Sequence, residues 1–220
     1  MSGAKDMPLL IQDLPNSYIG RSVPRPNARR LMEGRGTYVD DIQLPRLVHV
    51  AFLRSPYAHA AIGSLAVLAA QRSPGVVRVV TGTEMAKHCT PWVGVLTHLK
   101  GLKSAPQYAL AVDRACWQGE PVVAVVAQTR AQAEDAVALV EVAFEELVPV
   151  VDMETALDLA TPVIHPDLGD NLAFERRVEA GDVDAAFATA NVVVEETFHF
   201  GRHTGVTLEP RITLADYNAG

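Results

Sequence analysis

Val122 to Ala127 is six apolar residues without a break, entered from Gly119-Glu120-Pro121 and left through Gln128-Thr129. No side chain in it suits water, so it reads as a strand covered on both faces. Arg130 to Ala138 follows with a helical pattern. Thr129 and Gln132 have capping-box spacing, the hydroxyl accepting a first-turn N–H and the amide reaching back. Leu139 to Leu147 then alternates, with Val140, Val142 and Phe144 on one face and Glu141, Ala143 and Glu145 on the other, as in a strand with one wet face. This strand–helix–strand core names an architecture and not a reaction.

The 220 residues, 49% of them hydrophobic, suffice for one full domain core and part of a second. The net charge is −7, from 19 basic and 26 acidic residues. With no basic stripe, that balance argues against a nucleic-acid partner. Cys89 and Cys116 lie far apart, as two reduced thiols of a cytoplasmic protein would. No Cys-x-x-C supplies a zinc or iron–sulfur ligand set. Met1 to Leu14 has one Lys and a short apolar patch, Met7 to Ile11, but no secretory core or cleavage site. No run approaches the ~20 apolar residues of a membrane span.

Pro15, Pro24 and Pro26 forbid a regular helix across residues 1–33, which reads as an extended, Arg-bearing arm, either a solvated linker or a strap on a partner subunit. Gly34 and Gly36 permit a tight bend. Asp40 and Asp41, adjacent and pointing apart, suit turn and cap roles better than chelation. Leu47 to Arg54 alternates as a strand with Val48, Val50 and Phe52 on one face. His59 stands among small residues with no nucleophile or carboxylate at a fixed spacing, as a packed or capping side chain. Ser64 to Arg72 predicts a short helix, Val76 to Val80 a strand, and Thr83 a cap for a turn through Lys87. Residues 89–109 have no period. A loop of that length faces a site or a subunit, with Trp92 and Leu96 as apolar anchors. His88 and Cys89 are too few to hold a metal.

Asp152 predicts a cap for Glu154–Ala160, and Thr161 to Asn171 a linker. Asp182 opens a short helix, Val183–Thr189. Asn191 to Phe200 and Val206 to Asp216 predict a hairpin with one greasy face, Val192, Val194, Phe198 and Phe200 against Val206, Leu208, Ile212 and Leu214. A lone hairpin is marginal in water, and an apolar one with an open edge is an association surface. The expectation is a piece of something larger. His199 and His203 fall across a strand end and turn, where four-residue spacing does not bring them together. Glu209 and Arg211 sit opposite Leu208 and Ile212, free to pair with a partner.

Several stretches together resemble the N-terminal part of the large subunit in the xanthine dehydrogenase, aldehyde oxidase and carbon monoxide dehydrogenase family of molybdenum hydroxylases. They are Tyr18–Arg25, Gly34–Ile42, Arg54–Ala60, Pro74–Val77, Gly119–Ala127 with Ala133–Ala136 and Val140–Val142, Gly181–Phe187 and Leu208–Arg211. The resemblance implies an α+β chain: an arm over 1–33, then an α/β-hammerhead domain with a mixed sheet and flanking helices over 34–152. A linker over 153–172 would follow, and over 173–220 an incomplete, hairpin-containing start of a molybdopterin-binding domain.

Members of the family hydroxylate an aldehyde or N-heterocycle with oxygen from water. A molybdenum–molybdopterin cofactor takes the electrons and passes them to 2Fe-2S centres and FAD on partner domains or subunits. The family's glycine-rich pterin loops and catalytic Glu have no counterpart here, so no catalytic, cofactor-binding or metal residue is carried over onto this chain. The implied role is a split or N-terminal portion that shapes the substrate channel, partnered by the remaining molybdopterin-binding polypeptide and by iron–sulfur and FAD subunits. A non-catalytic hammerhead assembly or binding protein is the alternative, and an inert remnant a third. No Gly-x-Ser-x-Gly, H-E-x-x-H or P-loop supports an independent hydrolase or nucleotidase.

Overall fold

The computed structural model describes residues 18, 20–94, 96, 98–207 and 211–217. Met7–Ile11 and Leu208–Pro210, singled out above, lie outside them. In chain order the elements are α1 (Ala28–Met32), β1 (His49–Arg54), β2 (Ala60–Ala66), α2 (Leu68–Gln71), β3 (Val76–Thr81), α3 (Gly82–Met85), β4 (Arg114–Ala115), β5 (Pro121–Ala127), α4 (Arg130–Val137), β6 (Glu141–Glu146) and α5 (Val183–Thr189). The chain divides into two compact units, Pro45–Phe198 and the segments Met1–Leu44 with His199–Gly220.

In the larger unit the apolar run becomes β5, the middle strand of a β1–β5–β3 sheet. Val125 stands opposite Ala51 and Val79, and Val123 opposite Leu53 and Thr81. Val122, Val123 and Val125 are fully buried, so side chains of both parities are covered, as a run without polar residues requires. Burying one such valine is worth about 1.5–3 kcal/mol. Around them gather Ala70 of α2, Ala136 and Val137 of α4, Val140, and Ile62, Leu65, Val142 and Phe144 from a second sheet ordered β4–β2–β6.

Every pairing between named strands is antiparallel, where a mixed sheet was expected. The reason lies in α4. It carries the chain from β5 in one sheet to β6 in the other, so the strand–helix–strand run makes no parallel pair. The helix packs across β5 and β1. Thr129 caps it, its Oγ1 accepting from Gln132 N at 3.3 Å. The reciprocal half of the capping box does not form. Gln132 Oε1 accepts from the Thr129 hydroxyl at 3.1 Å instead, and its amide lies against Gly75, where a Cβ would overlap it.

Three local expectations need correction. Ser64–Ala66 is strand, because Leu65 and Ala66 pair with Val142 and Glu141, leaving only Leu68–Gln71 helical. Helix propensity differs by tenths of a kcal/mol per residue and yields to a ladder of this kind. The cap of α3 is Thr81, not Thr83, accepting from Glu84 N at 3.3 Å. Asp152 caps no helix. It accepts from Glu154 N at 2.9 Å and from the Thr155 hydroxyl at 3.1 Å, a local turn that competes with helix initiation. Asp182 does cap α5, accepting from Ala185 N at 2.9 Å.

Among the described residues of Asn191–Phe200 and Val206–Asp216 no strand forms. Val192, Val194, Phe198, Phe200 and Val206 are exposed, so the hairpin expected there has nothing to bury its greasy side against. In the smaller unit, α1 follows Pro26, where no regular helix was expected. The prolines precede it and do not interrupt it. Gly34 closes it with φ +69°, and Glu33 pairs with Arg29 at 2.8 Å and with Arg35. Asp41 Oδ2 accepts from Tyr38 N at 2.9 Å, the cap role read for the Asp pair.

Gly82 is buried where α3 leaves β3, and a Cβ there would overlap the Ala111 carbonyl. Gly82→Ala is expected to cost about 1–3 kcal/mol through backbone displacement. The checking measurement is a shift of the denaturation midpoint at unchanged slope.

Candidate functional site

The two motif stretches around Ser55 and Glu120 meet at one end of β1 and β5. Ser55 N donates to Glu120 O at 2.9 Å, Gly119 N donates to Ser55 O at 2.8 Å, and Arg54 Nη1 donates to Gly119 O at 2.9 Å. Gly119 holds φ +93°, a backbone that favours glycine. Ser55, 2% exposed, spends its hydroxyl locally: Oγ donates to Tyr57 O at 2.9 Å and accepts from Tyr57 N at 3.1 Å. These bonds make it a turn-forming serine. Tyr57 packs edge-on to Phe144 at 5.6 Å between ring centres.

His59 is where sequence reasoning put it, packed and buried. Its Nδ1 lies 2.9 Å from Val148 O, which makes Nδ1 the protonated nitrogen. Its backbone carbonyl accepts from Leu147 N at 2.9 Å. His165 stands near it and near Arg114. Burial first, then the Arg114 charge, holds the His165 imidazole below its usual range.

Among its described residues the 89–109 loop carries no strand beyond a single bridge between Trp92 and Gln107. Trp92 and Leu96, read as anchors, are exposed. The anchoring falls to residues that the sequence did not flag. Lys103 Nζ donates to Asp170 Oδ1 at 2.6 Å and to Leu168 O at 3.2 Å, and Lys103 N donates to Ala173 O at 2.8 Å. Asn171 ties the 155–173 segment to itself. Its Nδ2 donates to Ala156 O and Pro162 O, both at 2.9 Å, and its Oδ1 accepts from Ile164 N at 3.0 Å. The linker read from Pro and Gly is thus pinned to the loop. An Asn and a Lys in otherwise breaker-rich stretches were the available signal.

Glu120 Oε2 accepts from Cys116 N at 2.6 Å. Burial raises the Glu120 carboxyl above its ordinary range despite the Cys116 and Trp117 amides, and burial together with the Glu120 charge raises the Cys116 thiol. A raised thiol is a poor nucleophile. Cys89 is exposed, and its Sγ donates to Met85 O at 3.5 Å at the end of α3, so it does not join His88 as a ligand pair. Among the described residues no three His, Cys, Asp or Glu side chains gather as a metal site. A groove of about 330 Å³ is lined by Gln71, Val76, Val77, Arg78, Val79 and Glu84, with Arg78 paired to Glu84.

A pterin pyrophosphate needs clustered N–H donors on a tightly turned backbone. Gly201 and Gly205 have open space around them, and the described residues between them form no such turn. His203 Nδ1 is 3.4 Å from Gly201 O. These residues do not fit the group.

The Glu120 shift has a testable sign. A carboxyl whose folded value is raised favours its protonated form in the fold. The stability it lends is present at low pH and lost as pH rises through the folded value. Glu120→Gln keeps an acceptor for Cys116 N without the charge. It is therefore expected to be more stable than the parent at pH 7, with the gain shrinking as pH falls through the carboxylate range. Denaturation midpoints across pH 4 to 8 on both proteins check this.

Residues 33–148 match the model of the aldehyde oxidase and xanthine dehydrogenase a/b hammerhead domain, and residues 164–220 that of the molybdopterin cofactor-binding domain. The nicotine 6-hydroxylase large subunit of Paenarthrobacter nicotinovorans is 38% identical over 93% of this chain and 25% of its own length. The carbon monoxide dehydrogenase large chain of Afipia carboxidovorans is 33% identical over 79% and 22%. The crystal structure of quinoline 2-oxidoreductase from Pseudomonas putida 86 superposes with a TM-score of 0.71 at 37% identity, over 80% of this chain and 22% of that one. This chain thus spans about a quarter of the length of the curated relatives it matches. The hammerhead match alone covers more than half of it, and on that ground the chain belongs to the aldehyde oxidase and xanthine dehydrogenase family of molybdenum hydroxylase large subunits.

Proposed function

We propose that this chain forms the N-terminal quarter of a molybdenum hydroxylase large subunit, a part that builds the channel wall and holds no reacting group. The observation that carries the reading is the pairing of a hammerhead-domain match over 33–148 with a molybdopterin-domain match over 164–220 in a chain that spans about a quarter of its relatives' length. The hammerhead domain occupies 34–152, a connecting segment 153–172, and the start of the molybdopterin-binding domain 173–220, behind an arm over 1–33.

A complementary molybdopterin-binding polypeptide supplies the molybdenum cofactor and the catalytic carboxylate, and 2Fe-2S and FAD partners take the electrons. The reaction is hydroxylation of an aldehyde or N-heterocycle with oxygen from water. Relatives named as the large subunit of nicotine 6-hydroxylase and as subunit gamma of a 6-hydroxypseudooxynicotine dehydrogenase complex support partner subunits of this kind. Among the described residues no helix is long and apolar enough to cross a membrane, and the cytoplasm is the proposed location. The 89–109 loop, pinned by Lys103 to the 168–173 stretch, is the channel-facing element on this reading.

A chimera tests the proposal: the nicotine 6-hydroxylase large subunit with its matched quarter replaced by this chain. The chimera is expected to assemble with its partner subunits and to retain molybdenum and pterin near parental content, measured by metal analysis and pterin fluorescence. A chimera that folds but takes up no cofactor and recruits no partner subunit would overturn the reading.

A further inference from the structure

His59 leaves one buried polar atom without a partner. The residue is 5% exposed, its Nδ1 lies 2.9 Å from Val148 O, and nothing bonds its Nε2. With the proton on Nδ1, Nε2 carries a lone pair and needs a donor. A buried acceptor left unpaired is costly, so such an atom marks a place for a bound group. His59 stands beside Arg114 on the outer side of the second sheet. Ala60 pairs with Ala115, both fully buried, and Ala61 pairs with Arg114. Alternation puts His59 on the side of Ala61, and the register makes it the diagonal neighbour of Arg114, about 7–8 Å away.

Arg114 is half-buried and forms no ion pair with a described residue. Glu145 lies across the ladder from it, with Ala61 paired to both and standing between them. His165, also half-buried, stands near Arg114 and His59. Its position is fixed: its carbonyl accepts from Leu168 N at 2.9 Å, and Asn171 Oδ1 accepts from the neighbouring Ile164 N at 3.0 Å. A cation partly removed from water calls for a compensating negative charge. A water molecule alone would answer His59 and leave Arg114 uncompensated. Two imidazoles beside a guanidinium do not suit a metal cation, and among the described residues no third ligand joins them.

We propose that His59, Arg114 and His165 form a binding site for inorganic phosphate, whose anionic oxygens accept from the Arg114 guanidinium and whose own hydroxyl donates to His59 Nε2. Inorganic phosphate keeps a proton at neutral pH, so it offers a donor and charged acceptors together. Sulfate and simple carboxylates are fully ionised there and would set an oxygen lone pair against that of Nε2. A neutral His165 adds one N–H donor at the half-open edge. The site goes beyond the hydroxylase reading and does not depend on it.

The test titrates the full chain at neutral pH with sodium phosphate and, separately, with sodium sulfate at matched ionic strength. Binding is followed by calorimetry and by the His59 ring resonances in proton–nitrogen spectra. Phosphate is expected to bind at least tenfold more tightly than sulfate and to shift the His59 Nε2 resonance. Arg114→Gln is expected to weaken phosphate binding at least tenfold with the parent's cooperative unfolding retained, and Arg114→Lys to recover part of the loss. Arg78→Gln, on β3, is expected to bind as the parent does. Equal affinity for sulfate would overturn the proposal, as would phosphate binding unchanged by Arg114→Gln. A chain that gives no heat and no resonance shift with phosphate would leave a buried water only, and would overturn it too. Should Arg114→Gln fail to fold, the comparison of phosphate with sulfate on the parent chain decides.

Discussion

A strand without a polar side chain has to be covered twice, and the larger unit is arranged around meeting that demand for β5. Its backbone is satisfied on both edges by β1 and β3, leaving the side chains as the remaining problem. One face is closed by α4, α2 and the inward residues of the second sheet. The other has Ala124 at its centre, flanked by the larger Phe52 and Val80. Ala124 is 5% exposed because its neighbours are bigger than it is, and the neighbours themselves stay half open. The sheet therefore buries most of its central strand, leaving Pro121 and Val126 half-buried, while its edge strand β1 alternates between half-buried and exposed.

The junction at Arg54–Ser55 and Gly119–Glu120 explains why short motifs far apart in sequence read as one signature. The two stretches are bonded to each other through backbone groups, with Ser55 O and Ser55 N both engaged by the 119–120 peptide region. Backbone bonding places few demands on side-chain identity, except where geometry is tight. Gly119 must hold its positive φ, Ser55 must fit a buried turn, and Gly82 must let the Ala111 carbonyl approach. The residues with the narrowest tolerance here are set by backbone geometry and burial.

Legibility followed the range of the interaction. β5, β3, α4 and α5 were readable because local terms decide them: an unbroken Val run, and Thr129 and Asp182 each accepting from a backbone N–H three residues on. Non-local terms defeated the reading elsewhere. Ser64–Ala66 is Ala- and Leu-bearing sequence that a helix would accept, yet its partners on β6 make it a strand, with Gly63 under the Ala143 carbonyl at the irregular point of the ladder. Val48, Val50 and Phe52 were correctly placed on one face, but alternation does not say which face is wet. Ala51 and Leu53 point inward instead. Of the candidate site, the packed His59 was legible. Lys103 and Asn171 were not, because their partners are 65 and more residues away for the lysine, and carbonyls of an irregular segment for the asparagine.

The segments over 191–207 and 211–217 show what happens when a strand-prone pattern lacks an edge. Their alternation of Val and Phe with polar residues specifies two faces but no partner. Strand pairing returns its hydrogen bonds only when a second backbone is held at about 4.8 Å. Without one, each residue fixed in extended form costs about 1–2 kcal/mol of backbone entropy. Water satisfies the amides more cheaply, and Val194, Phe198 and Phe200 stay in solvent. The same physics separates the two parts of the chain. Where β1, β5 and β3 supply edges to one another, the Val-rich pattern becomes a sheet, and where no edge is offered, an equally greasy pattern remains coil.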